Sequence, residues 1–130
     1  MNKGTMLQGK VAIVTGSGRG IGRDMALLMA AQGAKVVVND IGASVSGEGN
    51  DASPGQQVVD EIKAAGGEAA LSTDSVSEWD SAHRIVQCAL DHFGRIDVVV
   101  NNAGILRDRF FFAMSLEEWK AVIEIGRAHV

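Results

Sequence analysis

A chain of 130 residues that is 46% apolar and 22% charged has room for one globular domain and none of the polar bias of a disordered segment. Its net charge of −4 offers no basic footprint for nucleic acid, and no apolar run approaches the length of a membrane span. A single cysteine excludes an internal disulfide framework and fits a reducing compartment; with no apolar signal segment in residues 1–6, a cytoplasmic setting is expected.

Residues 1–9 read as a polar lead-in. Residues 10–15, centred on Val11, Ala12, Ile13 and Val14, are apolar on both faces, as a buried parallel strand requires. Then comes the glycine-rich run Thr15-Gly16-Ser17-Gly18-Arg19-Gly20-Ile21-Gly22. It opens into a helix whose expected inward stripe is Ile21, Met25, Leu28 and Met29, closed by Gly33. Strand, glycine turn and helix in that order let the backbone approach a phosphate, which then meets the free N–H groups of the helix start.

A second strand spans residues 35–39, with Asp40 at its carboxyl end. Residues 41–53 are polar and glycine-rich with no period and read as a long surface loop. Ser53 and Pro54 have the pattern of an N-cap and first helical residue, ahead of a helix that turns Val58, Val59 and Ile62 inward and ends at Gly66 and Gly67. Residues 68–73 form a third strand. Ser77 is the expected cap of the next helix, whose stripe is Ile85, Val86, Ala89 and Leu90, with Trp79 as a packing anchor. Residues 96–100 make a fourth strand. The capping-box spacing from Ser115 to Glu118 then starts a last helix through Trp119, Val122 and Ile123. Four strand–helix alternations imply an α/β fold, a Rossmann-type doubly wound parallel sheet whose ligands lie at the carboxyl ends of the strands.

Asp40 stands 24 positions after Gly16, near the interval at which an acid accepts hydrogen bonds from the adenosine ribose of a dinucleotide. A 2′-phosphate there would meet like charge, a repulsion of about 4 kcal/mol per unit pair at close range. Arg19 argues the other way, as a cation able to meet that phosphate. NAD is favoured over NADP. His83, His92 and His129 lack metal-ligand spacing, so no metal is expected. Cys88, within an amphipathic helix, reads as a packing residue.

The Thr-Gly-x-x-x-Gly-Ile-Gly pattern of residues 15–22, with Asn101-Asn102-Ala103-Gly104 after the fourth strand, resembles the short-chain dehydrogenase/reductase family. The resemblance implies cofactor contacts at Gly16, Ser17, Arg19, Gly20, Ile21 and Gly22, with Asp74 and Ser75 beside the adenine. It also implies that Asn101, Asn102, Ala103 and Gly104 line the nicotinamide side. Asn39-Asp40 with the glycine-rich insertion after it, and Ile105-Leu106-Arg107-Asp108-Arg109-Phe110, are similar to the 3-hydroxyacyl-CoA dehydrogenase part of the peroxisomal multifunctional enzymes and their bacterial relatives. That implies hydride transfer between NAD and a secondary alcohol such as a 3-hydroxyacyl-CoA, in a homo-oligomer. Arg107 and Arg109 read either as partners of an anionic substrate or as solvated loop residues paired with local acids.

The family's acid–base group is the tyrosine of a Tyr-x-x-x-Lys motif, and this sequence contains no tyrosine. Residues 1–124 therefore read as the N-terminal, cofactor-binding half of such an enzyme, with no catalytic residue and no turnover alone. Residues 125–130 are also the translation of ATC GGA AGA GCA CAC GTC, bases near the start of a widely used short-read sequencing adapter, so they are expected to be a non-native tail. Two alternatives stay open: a non-catalytic nucleotide-binding module, and an NADP-dependent 3-ketoacyl reductase.

Overall fold

Runs of valine, isoleucine and alanine too short for helices and flanked by glycine build the centre of this molecule. In the computed structural model, which describes residues 3–41 and 53–103, the strands are β1 (Val11–Thr15), β2 (Lys35–Asn39), β3 (Glu68–Ser72) and β4 (Val98–Val100). All pair in parallel, in the order β3-β2-β1-β4. The helices are α1 (Gly20–Ala31), α2 (Pro54–Ala64) and α3 (Trp79–Phe93). The expected α/β doubly wound architecture is present. Residues 42–52 of the loop expected at 41–53, the helix from Ser115 with Trp119, His129 and the tail at 125–130 lie outside the described residues.

Strands β1 and β2 are buried on both faces, whereas Val99 of β4 is 51% exposed. Val14, Val36 and Val38 pack with Ala26 of α1 and with Val58, Val59 and Ile62 of α2. Val11, Ile13 and Val37 point the opposite way, onto Val76 and onto Ile85 and Ala89 of α3. Successive strand residues thus alternate between two cores. The chain winds from β1 outward to β3, then returns past β1 to β4. Reversing direction with right-handed crossovers requires the third helix to change face, as it does.

Two helix stripes differ from those expected. In α1 the buried residues are Gly22 and Ala26, flanked by half-buried Met25, Leu27 and Met29, while Ile21 is 73% exposed and Leu28 50%. In α3 they are Ser81, Ile85 and Ala89, with Val86 and Leu90 exposed. Trp79 is 70% exposed, its ring edge to face with that of exposed His83 at 5.0 Å, so it is no packing anchor. Helix α1 approaches the sheet on Gly22 and Ala26, and α3 on Ser81 and Ala89 with Ile85 between them, which lets the backbones come close and moves Leu28, Val86 and Leu90 to the flanks.

The α3 cap also differs. Glu78 is the N-cap residue; the Ser77 hydroxyl instead meets Ser75 Oγ at 2.7 Å, and the Ser77 N–H donates to Ser75 Oγ at 3.1 Å. Ser53 caps α2 as expected, its hydroxyl accepting the Gln56 N–H at 3.2 Å, with Pro54 in the first turn. The lead-in is tied down, Gly4 N–H donating to Ala31 O and Leu7 N–H to Gln32 O, both at 2.8 Å.

Candidate functional site: a nucleotide crevice at the strand ends

The register sets Thr15, Asn39 and Ser72 side by side at the carboxyl ends of β1, β2 and β3. All three are buried, so a polar rung closes an otherwise apolar sheet. Buried polar groups must find partners, and these find one another's strand ends. Thr15 Oγ1 donates to Val100 O at 3.3 Å and accepts the N–H groups of Asn102 and Ala103, each at 3.0 Å. Asn39 Nδ2 donates to Ser72 O at 3.3 Å, Ser72 Oγ at 3.2 Å and Asp74 O at 2.9 Å.

On this rung stands the glycine turn. Gly16 has a φ of +64°, and a Cβ there would lie 2.9 Å from Ala103 Cα, so both conformation and space demand glycine. A Cβ on Gly22 would run into Asn102 Nδ2 and Gly16 O. Asn102 fills that gap, its Nδ2 donating to Thr15 O at 3.2 Å and Gly16 O at 3.1 Å. Asn102 thus joins the loops after β1 and β4 across the point where strand order reverses. Gly20 also has a φ of +64°, but nothing lies within 4 Å of a Cβ placed there.

Ser17 is fully buried. Its hydroxyl donates to Val14 O at 2.7 Å and accepts the Asn39 N–H at 3.2 Å, so it shapes the turn from inside. Arg19 is the N-cap residue of α1, with no side-chain cap bond and no acid in the first turn. The backbone N–H groups at that helix start, beside exposed Gly20 and Ile21, suit an anion.

Asp40 lies against the glycine turn. Its Oδ2 accepts the Gly18 N–H at 3.0 Å. A Cβ on Gly18 would lie 2.6 Å from that oxygen and 3.0 Å from Gly55 N, so the turn, the acid and the start of α2 crowd together. Beyond them Asp74 accepts a hydrogen bond from Arg84 Nε at 2.8 Å, which holds the guanidinium further toward its charged form. Ser75 is engaged by Ser77. Asn101 and Ala103 follow β4; Gly104, Arg107 and Arg109 lie outside the described residues.

Sequence reasoning missed Thr15 and Asn39 as structural hubs, and Gly18 and Gly55 as points of close approach. A polar residue ending a buried apolar run was the available signal for the first two. Cys88 is half-buried, with its thiol pushed up by burial and then by Asp74 and Asp91, and it packs against α3's core as expected. His83 and His92 are exposed, and among the described residues no cluster of His, Cys, Asp or Glu could hold a metal. A cavity of about 720 Å³ lies at the opposite end of the sheet, among Gly33, Lys35, Ile62, Gly67 and Glu68. It includes none of the predicted site residues.

The cradle fits a dinucleotide: three glycines whose side chains would collide with the turn's own partners, an open helix start, and an acid one strand away. A parallel sheet with that crevice defines a nucleotide-binding α/β protein. A sequence profile of the short chain dehydrogenase family matches residues 10–127, and the chain belongs to that family. It is 50% identical over 114 residues to mouse peroxisomal multifunctional enzyme type 2, covering 88% of this chain and 15% of that protein. It is 46% identical over 122 residues to a 3-oxoacyl-[acyl-carrier-protein] reductase of Synechocystis, covering 94% and 46%. A crystal structure of a short chain dehydrogenase from Mycobacterium avium superposes with a TM-score of 0.85 at 52% identity, covering 92% of this chain and 41% of that one. The chain spans less than half the length of each of these relatives.

Proposed function

We propose that this chain is the cofactor-binding half of an oxidoreductase that moves hydride between NAD and a secondary alcohol, with a 3-hydroxyacyl-CoA as the substrate. The observation that carries the reading is the Asp40 carboxylate, held against the Gly18 N–H at the rim of the glycine turn. From there it accepts the ribose hydroxyls and repels a 2′-phosphate. Bound NAD supplies the hydride acceptor. The chain's own residues hold and orient it: the N–H groups at the start of α1 take the pyrophosphate, Asp40 the ribose, and Asp74 and Ser75 border the adenine. Asn101, Ala103 and Gly104 line the nicotinamide end, and Asn102 locks that end to the turn. The hydroxyacyl-CoA assignment draws support from a relative named as a hydroxyacyl-CoA dehydrogenase of Mycobacterium tuberculosis, 46% identical over 125 residues, with Arg107 and Arg109 as partners for an anionic substrate. The same reading carries a homo-oligomeric parent.

Hydride transfer to or from an alcohol needs a proton partner. With no tyrosine in the sequence, this chain has no phenol for that exchange and is expected to bind NAD without turning it over. Arg19, exposed at the α1 N-cap, favours the second reading, an NADP-linked reductase. Titration of the 130-residue chain and its Asp40→Ala variant with NAD and NADP separates the two. The expected result is NAD binding to the parent, with weaker NAD and stronger NADP binding after substitution. Unchanged NAD binding with no gain for NADP overturns the assignment of Asp40.

A further inference from the structure

Asp74, two residues beyond β3, is held from two sides. Its carbonyl accepts a hydrogen bond from Asn39 Nδ2 at 2.9 Å, and its carboxylate accepts one from Arg84 Nε at 2.8 Å. Arg84 is itself oriented, its Nη2 donating to Ser81 Oγ at 2.8 Å. Asn39 is buried, and its backbone completes the link to the phosphate turn: its N–H donates to Ser17 Oγ at 3.2 Å and its carbonyl accepts the Ser17 N–H at 2.9 Å. One buried amide therefore joins the turn after β1 to the segment after β3, with Asp40 as its neighbour in sequence. The amide type matters. Its NH₂ group faces Ser72 O, Ser72 Oγ and Asp74 O; a carboxylate of the same shape would have no hydrogen to give to the two carbonyls.

We propose that Asn39 and Arg84 are positioning residues that fix Asp74 where its carboxylate reads the exocyclic amine of an adenine ring. Discrimination at the base then depends on two side chains that do not touch the nucleotide. This rests on the reading of the crevice as a dinucleotide site. An amine donates to a carboxylate, whereas a carbonyl oxygen in the same place offers no hydrogen and is repelled. Hypoxanthine in place of adenine replaces the amine by a carbonyl oxygen and adds a hydrogen at N1, so the ratio of the two affinities reads recognition of that edge of the base apart from any general weakening of the site.

The test is calorimetric titration of the full chain with NAD and with nicotinamide hypoxanthine dinucleotide, for the parent, Asn39→Asp, Arg84→Gln and Arg84→Lys. The parent is expected to prefer NAD by roughly tenfold, the scale of one hydrogen bond to a charged group. Asn39→Asp and Arg84→Gln should shrink that preference to about threefold or less, and Arg84→Lys should restore part of it by keeping the charge. Arg84 is exposed, so its variants report even where Asn39→Asp fails to fold. Variants that keep the parental ratio overturn the inference and leave the cofactor reading standing. A parent that binds both dinucleotides equally does the same. A parent that binds neither overturns both.

Discussion

The Ser17 hydroxyl sits between two backbones, donating to Val14 O and accepting from Asn39 N–H, with no exposure to water. Removing it leaves a buried carbonyl and a buried N–H each short of a partner, and unmade buried bonds cost more than made ones contribute. Ser17→Ala is therefore expected to lower unfolding stability by about 1–3 kcal/mol, read from urea midpoints at unchanged slope. The motif singled out Ser17, but as a contact to the cofactor. Its bonding to Asn39 was not legible, because that partner lies 22 positions away and is brought near only by the β1–β2 pairing. Thr15 illustrates the same limit over a longer range, its hydroxyl accepting N–H groups 87 and 88 positions on. What the sequence did carry was the residue type: a hydroxyl or amide ending a buried apolar strand has to be satisfied somewhere.

Among the elements, α2 follows its local code closely. Ser53 accepts the Gln56 N–H, Pro54 occupies the first turn, and the buried residues include Val58, Val59 and Ile62, as the periodicity requires. Ser53→Ala should cost about 1 kcal/mol by loss of the cap. Because α2 begins beside Asp40 and Gly18, the same substitution should also weaken NAD binding in calorimetric titration, while Gln57→Ala, farther along the helix surface, should not. The α1 and α3 stripes were less legible for a definite reason. Both sequences contain two apolar arcs about one residue apart, and hydrophobicity alone favours the arc with the larger side chains. Packing on a sheet selects closest approach instead, so Gly22 and Ala26 of α1 and Ser81 of α3 face inward, the last beside the expected Ile85 and Ala89, while Leu28, Val86 and Leu90 are left at the flank. Positions in β1 and β2 were easier because burial on both faces leaves no phase to choose.

At the scale of the whole molecule the two ends of the sheet are fastened differently. The carboxyl ends are joined by the neutral rung of Thr15, Asn39 and Ser72, whereas at the amino ends a charge joins β1 to the segment entering β4. Asp97 Oδ2 accepts the Val11 N–H at 2.8 Å, the Asp97 N–H returns a bond to Val11 O at 2.9 Å, and Arg95 grips both carboxylate oxygens at 2.6 and 2.9 Å. The arginine first, and then the Val11 N–H, hold the Asp97 carboxyl below its ordinary value of 3.8. A depressed native value means the unfolded chain binds more protons in the intervening window, so this contribution is complete above the unfolded value and disappears as pH falls through the native one. Asp97→Asn keeps an oxygen for Val11 but loses the charge. The difference in urea midpoint between parent and variant should be largest above about pH 5 and close progressively toward about pH 2. The Arg95 pair is exposed, so added salt should narrow the gap at neutral pH without closing it, leaving the part due to the charged acceptor for the β1 N–H. A gap that persists unchanged at low pH would mean that shape at position 97, rather than charge, holds β4 against β1.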